Sequence, residues 1–285
     1  MIRATTDRWR AELTRTIGAI ARAEPIAGGD INDAWRVVLT DGRCVFVKTH
    51  TAAPPGMYAA EADGLAWLTE GPIRVPRVLA VDDAFLALEW LDLGVRGHGG
   101  FDEQFGRGLA QLHALGAPGF GLARDNYVAT LPQDNAPAAD LPTLWIERRL
   151  RPTIARLDDR SLVVRLERRL DQLAARPERF GPAERPARLH GDLWWGNVGS
   201  THGGEPVVFD PAVYGGHREI DLAMLALFGG LGETLVDAYQ EVWPLGDDWR
   251  GRMTLWQLYP LAVHAVLFGG GYESQLARGL DAIAA

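Results

Sequence analysis

Between Glu89 and Gly94 the periodicity of this chain changes. Ahead of that point apolar residues come in short runs separated by turn signals, and behind it they recur at helical spacing. Strands first and helices afterwards place the chain in the α+β class. Residues 7–22 carry Trp9, Leu13, Ile17 and Ile20 at helical spacing and predict an amphipathic helix that ends before Pro25. "AWRVVLTDGRCVFVKTH" reads as two strands about Asp41-Gly42, a strong hairpin signal, with a shorter strand joined to them through "IAGGDIND". "GMYAAEADGLAWLTEG" reads as a helix stopped at Gly71-Pro72, and "VPRVLAVDDAFLALEWL" as two more strands. Phe101 to Leu115, residues 143–177 and the tail from Glu219 read as helices, and 188–214 as short strands and turns. We therefore expect two lobes with a hinge near 89–94. Residues 1–91 form a small antiparallel β N-lobe with one main helix, and 92–285 a larger, mostly helical C-lobe.

Composition narrows the partners. The net charge of −8 argues against nucleic acid, although local N–H groups, lysine and metal can still hold a phosphate on an acidic protein. No run of about 18 apolar residues is present, so no membrane span is expected. The N-terminal stretch is charged throughout and lacks an apolar signal core, which predicts a cytoplasmic protein. The single cysteine, Cys44, excludes an internal disulfide and a cysteine-based zinc cluster, and is expected as a small buried apolar residue on its strand. We expect a monomer.

The stretch "HGDLWWGN", from His190 to Asn197, is too polar and aromatic for a core element. It is followed by "VGSTHGGEPVVFD", which reads as a hairpin turning at Gly203-Gly204. A two-residue loop there sets Asn197 opposite Asp210, with Cα atoms about 4.5–5.5 Å apart. An amide oxygen and a carboxylate that converge in this way suit a hard cation such as Mg²⁺, which completes its shell with phosphates and water. Asp192, just outside the pair, is placed to take a proton from an incoming hydroxyl, as phosphoryl transfer requires. Read singly, Asp192 and Asn197 are turn residues and Asp210 a cap. In the front lobe, Lys48 ends the third predicted strand. Glu61 lies on the helix face shared with Leu65 and Leu68, and a buried acid there needs a partner such as Lys48. Asp63 competes for that role but lies on another face. Gly28 and Gly29 would let the first turn approach phosphates, although their pattern is no standard phosphate loop.

"RLHGDLWWGNV", "VVFDPAVYGGHREIDLAMLALFGG" and "WQLYPLAVHAVLFGGGYESQL" resemble the fructosamine kinase family, as do "VFVKT", "EADGLAWL", "GFGLARDNYVATLPQDN" and "WIERRLRP". The likeness covers about residues 20–280 and sits within the wider group of aminoglycoside-phosphotransferase-like kinases. It implies a protein-kinase-like two-lobed fold and the use of ATP and Mg²⁺. The implied activity is phosphorylation of the sugar of a ketoamine, a small molecule or a glycated amine or protein, which leads to deglycation. By motif, Asp192 would be the base and Asn197 and Asp210 the Mg²⁺ ligands. Lys48 would hold ATP phosphates, with Glu61 orienting it, and Glu89 to Leu91 would border the adenine. Trp194 and His264 would touch the sugar. His190 would brace the catalytic loop, and Asp221 would hold that loop through backbone N–H groups. His217 and Glu219 would anchor the segment after Asp210. The long polar loop "RDNYVATLPQDN" would lie towards the acceptor. Two features depart from the family. Trp195 stands where a small residue is common, which either narrows the acceptor site or packs behind the loop. The glycine-bearing turn has no cysteine, so the redox-controlled dimerisation of some relatives should be absent. The arginine-rich run 146–170 is interrupted by acids and reads as a salt-bridged, solvated face. A kinase for an aminoglycoside- or choline-like acceptor, and a nucleotide-binding protein without turnover, are the competing readings.

Overall fold

The computed structural model describes residues 2–26, 32–97 and 100–284, with side chains described only between residues 8 and 283. Helix α1 (Ile2–Thr16) precedes a sheet of five strands: β1 (Ile20–Ile26), β2 (Asp33–Leu39), β3 (Cys44–Thr49), β4 (Val78–Asp82) and β5 (Phe85–Glu89). Helix α2 (Met57–Leu68) links β3 to β4. Every pairing is antiparallel and the spatial order is β1-β2-β3-β5-β4. The first helix stops earlier than its periodicity predicts. Gly18 takes a φ of 145°, which the helix cannot continue through, and Ile20 opens β1 instead. Ile17 and Ile20 still pack with Trp9 and Leu13 against Val37, Val45 and Phe85, so the apolar face is shared between a helix and a strand. The β2–β3 hairpin closes through Asp41-Gly42, with Gly42 at φ 88° and Leu39 N–H donating to Arg43 O at 2.9 Å. That is a three-residue loop with glycine at its left-handed position. Cys44 opens β3 and is half-buried, less enclosed than expected. The turn that carries Gly28 and Gly29 lies outside the described residues.

A second apolar cluster joins Leu65, Leu68, Leu86 and Leu88 to Phe105, Leu193 and Leu222. The sheet therefore shares a core with the helices that follow, beginning with α3 (Phe101–Leu115). The helical part holds three small ribbons. These are β6 (Asn126–Val128) with β7 (Leu131–Gln133), β8 (Ala187–Leu189) with β11 (Tyr214–Gly216), and β9 (Val198–Ser200) with β10 (Pro206–Val208). Helices Glu219–Leu227, Glu233–Val242, Trp249–Phe268 and Gly271–Ala284 complete it. Among the described residues no helix is long and apolar enough to cross a membrane.

The arginine-rich run differs from a single long helix in two ways. It is π-helical over Leu144–Leu150, and it breaks before Arg160–Ala174, where Asp159 caps the N–H groups of Ser161 and Leu162. Arg151 behaves as the charge pattern predicts and bonds Glu147 at 3.0 Å and Asp171 at 2.7 Å. Arg149 does not. It is fully buried, donates to Asn135 Oδ1 at 2.6 Å and to Asp134 O, and lies 4.1 Å over the Tyr214 ring. Carbonyls and a ring face replace water around that cation.

Candidate active site

Lys48 lies on β3 between Ala34 of β2 and Leu86 of β5, which aims its side chain under α2. Leu65 and Leu68 are buried on that helix, and Glu61 shares their face. Lys48 Nζ meets Glu61 Oε1 at 2.7 Å and Asp210 Oδ1, 162 residues further along the chain, at 2.5 Å. The lysine side chain is 6% exposed. Burial works against its charge, but Asp210 and Glu61 outweigh burial and raise its pKa. For Glu61 burial dominates, and its pKa is raised despite Lys48. Asp63 points elsewhere and pairs with Arg124 at the surface.

The hairpin after Asn197 is shifted by one residue from the expected register. Val208 pairs with Val198 and Pro206 with Ser200, and Phe209 N–H, not Asp210, meets Asn197 O at 3.1 Å. The reason is the loop. Thr201 N–H donates to Glu205 O at 2.9 Å and Gly204 takes a φ of 85°, so three residues turn the chain instead of two. Asp210 then leaves the ribbon at φ 61°, a left-handed conformation that aspartate tolerates better than most side chains, and its carboxylate reaches Lys48. Asn197 spends its amide hydrogens on Asp192, reaching the main-chain O at 2.9 Å and Oδ2 at 3.2 Å. That leaves Asn197 Oδ1 and the second oxygen of Asp210 as hard donors, which suit Mg²⁺. Among the described residues no group of three His, Cys, Asp or Glu side chains forms a metal cluster, so an ion here would draw its other ligands from phosphate and water.

Asp192 sits between these groups. Burial, and then the charge of Asp210, push its pKa up to about 7, against the hydrogen bond from Asn197. Its loop is held from below. Asp221 accepts His190 N–H at 2.8 Å and Gly191 N–H at 3.0 Å, and meets His113 Nε2 at 3.1 Å. His190 is fully buried, and burial lowers its pKa. Its Nε2 faces Phe209 O at 3.1 Å, and its Nδ1 accepts Asp192 N–H at 3.3 Å. Gly191 is required here, because at φ 82° an added Cβ would stand 2.1 Å from Ala212 O. Asp221→Ala strands two buried N–H groups and His113. We expect it to cost about 3 kcal/mol of stability, read by urea denaturation; an unchanged midpoint would contradict this.

Glu89 closes β5, where its side chain takes Arg77 N–H at 3.0 Å, and Leu91 follows in the linker. Gly94 N–H then donates to Ser200 O at 2.8 Å, which ties the linker to β9. Asp192 and His264 line one cleft with Val128, Met224, Tyr259 and Val263, and its free volume is about 20 Å³. That is room for one water-sized group, such as a hydroxyl, beside the carboxylate. Trp194 stands at the surface. Trp195 packs behind the loop, where its ring lies 6.0 Å from Phe105 and its N–H meets Gly230 O at 2.8 Å. Glu219 binds Arg252 and Trp256, and His217 stacks on Trp256 at 5.2 Å, so both anchor the segment beyond Asp210.

Sequence reasoning missed the support of the cleft wall at Tyr259. Gln133 accepts Tyr259 O–H at 3.0 Å and donates to Asn126 Oδ1 at 2.7 Å and Ala212 O at 3.1 Å. The loop "RDNYVATLPQDN" is thereby pinned to the chain just after Asp210. Its density of amides was the available signal.

A sheet that offers a buried lysine, set against a helical body that offers acids on braced loops, is the division of labour of protein-kinase-like phosphotransferases, and the fold places this chain in that class. Comparison with known proteins narrows the class. The fructosamine kinase family model matches residues 1–285, and the chain belongs to that family. It is 38% identical over 264 residues to a "probable ketoamine kinase" of Enterococcus faecium, covering 90% of this chain and 93% of that one. It is 34% identical over 273 residues to the chloroplastic protein-ribulosamine 3-kinase of Arabidopsis thaliana, covering 92% and 82%. A crystal structure of a "putative fructosamine-3-kinase" from Thermobifida fusca superposes with a TM-score of 0.85 at 41% identity, covering 96% and 97%.

Proposed function

We propose that this protein transfers the γ-phosphoryl group of ATP to a sugar hydroxyl of a ketoamine, a fructosamine or ribulosamine, and so promotes release of the amine. The observation that carries this reading is the Lys48 ammonium. It is held between Glu61 and Asp210, with Asp192 close enough to Asp210 to feel its charge. The names of the relatives support the acceptor class.

In this reading Lys48 binds phosphate oxygens, and Glu61 keeps it aimed. Asn197 and Asp210 would hold Mg²⁺, which supplies charge neutralisation of the phosphates when bound. Asp192 orients the attacking hydroxyl and takes its proton, and a pKa near working pH suits that task. Glu89 to Leu91, at the junction of residues 1–91 and 92–285, would border the adenine. Trp194 and His264 would flank the sugar. In this reading the protein works in the cytoplasm.

The test is ADP release from ATP and Mg²⁺ with glycated Nα-acetyl-lysine. Ketoamine-dependent release and a phosphorylated adduct are expected. Release that responds to an aminoglycoside or choline, and not to any ketoamine, would refute the acceptor.

A further inference from the structure

The strand that leads into the loop of Asp192 also grips the helix that carries Glu61. Arg188, on β8 opposite Gly215 of β11, lies four residues ahead of Asp192. Its side chain is 10% exposed and reaches the C-terminal end of α2. There it donates to Trp67 O at 2.8 Å and to Glu70 Oε2 at 2.7 Å, and its guanidinium lies 4.6 Å over the Trp67 ring. The last carbonyls of a helix lack intrahelical partners and carry partial negative charge, which favours a cation beside them. Thr69 N–H takes Leu65 O and Ala66 O, Gly71 N–H takes Leu68 O, and Arg188 takes the Trp67 O between them.

Midway between this anchor and Glu61, α2 rests on the helical body. A Cβ added at Gly64 would stand 3.3 Å from Val213 Cγ2 and 3.4 Å from Pro211 Cγ, so the segment after Asp210 lies against the helix backbone there. Glu61 and Trp67 lie three residues to either side of Gly64, about 4.5 Å along the axis each way. A tilt about Gly64 that carries Trp67 by about 1 Å carries Glu61 a similar distance in the opposite sense. That stretches the 2.7 Å bond from Lys48 to Glu61 past hydrogen-bonding range. Ahead of Gly64 the helix meets the body through exposed bonds, from Arg124 to Asp63 and from Tyr127 to Pro55 O, and contacts open to water contribute little. The buried Arg188 is the firmer hold.

Resting on the assignment of Lys48 to the phosphates of ATP, we propose that Arg188 is a positioning residue for nucleotide binding. It pins the C-terminal arm of α2, and through that helix it keeps Glu61 on Lys48. It acts from a distance, without touching ATP or the acceptor. In this arrangement α2 is fixed to the helical body, and the sheet brings Lys48 to a carboxylate that is already in place.

The test is the affinity for ATP in the presence of Mg²⁺, measured by titration calorimetry, which needs no acceptor. Arg188→Met should weaken ATP binding about tenfold, and by no more than Glu61→Gln does. Arg188→Lys keeps a cation at the helix end but loses the planar stack on Trp67 and one of the two bonds, and should weaken binding about threefold. Added to Glu61→Gln, either substitution should cost less than about twofold, because the contact it acts through is already gone. A loss of the same size with and without Glu61→Gln would make Arg188 a packing residue and overturn the proposal, as would wild-type affinity in Arg188→Met. If Arg188→Met does not fold, the same comparison with Arg188→Lys decides. If Glu61→Gln binds ATP as the wild type does, the pairing of Glu61 with Lys48 does not serve the nucleotide, and that reading falls together with the role of Arg188.

Discussion

Asp192→Asn should lower kcat about 10³-fold while ATP still binds, the loss typical of removing a positioned general base. The substitution keeps the shape of the side chain and its contact with Asn197, which lies 3.2 Å from Asp192 Oδ2. It removes the proposed proton acceptor beside a cleft with room for one hydroxyl. It also removes a carboxyl whose charge is disfavoured by burial and by Asp210, so the variant should be no less stable than the wild type. The measurement is single-turnover ADP formation together with a thermal melt. Turnover within tenfold of the wild type would show that Asp192 is not the base. Lost activity with a lowered Tm would show that it serves the loop instead.

Lys48→Met should act differently. The cation is the shared partner of two carboxylates, at 2.7 and 2.5 Å. Removing it takes away the charge proposed to bind phosphate, and we expect kcat/KM for ATP to fall about 10²–10³-fold. It also leaves Glu61, 12% exposed, without its counter-ion. Breaking a buried pair from one side costs about 3 kcal/mol. Glu61→Gln removes the orienting charge but leaves Lys48 and Asp210 paired, so its loss of kcat/KM should be about tenfold smaller than that of Lys48→Met. Steady-state kinetics over ATP concentration and urea midpoints separate the two. Equal losses in both variants would mean that Glu61 touches the nucleotide itself.

Much of the site was legible because local rules wrote it. Strand periodicity placed Lys48 at the end of β3, and the 3.6-residue spacing of Glu61, Leu65 and Leu68 turned the acid inward. Asp41-Gly42 marked its hairpin. The ribbon beyond Asn197 was harder, because Gly203-Gly204 suits loops of two or three residues. The left-handed residue is Gly204 alone, and that choice moves the register by one.

The amino-acid sequence by itself determined the order of strands and helices, the lysine and acid on facing elements, and the polar stretch from His190 to Asn197, because propensity and periodicity act between near neighbours. Tertiary structure alone decided that Arg149 is buried against the carbonyls of a loop, that Asp221 reaches under His190, and that Phe228 packs between Trp194 and His264. Those contacts join residues far apart in the chain. They form only when separate elements pack, and packing between distant elements leaves no local pattern to read.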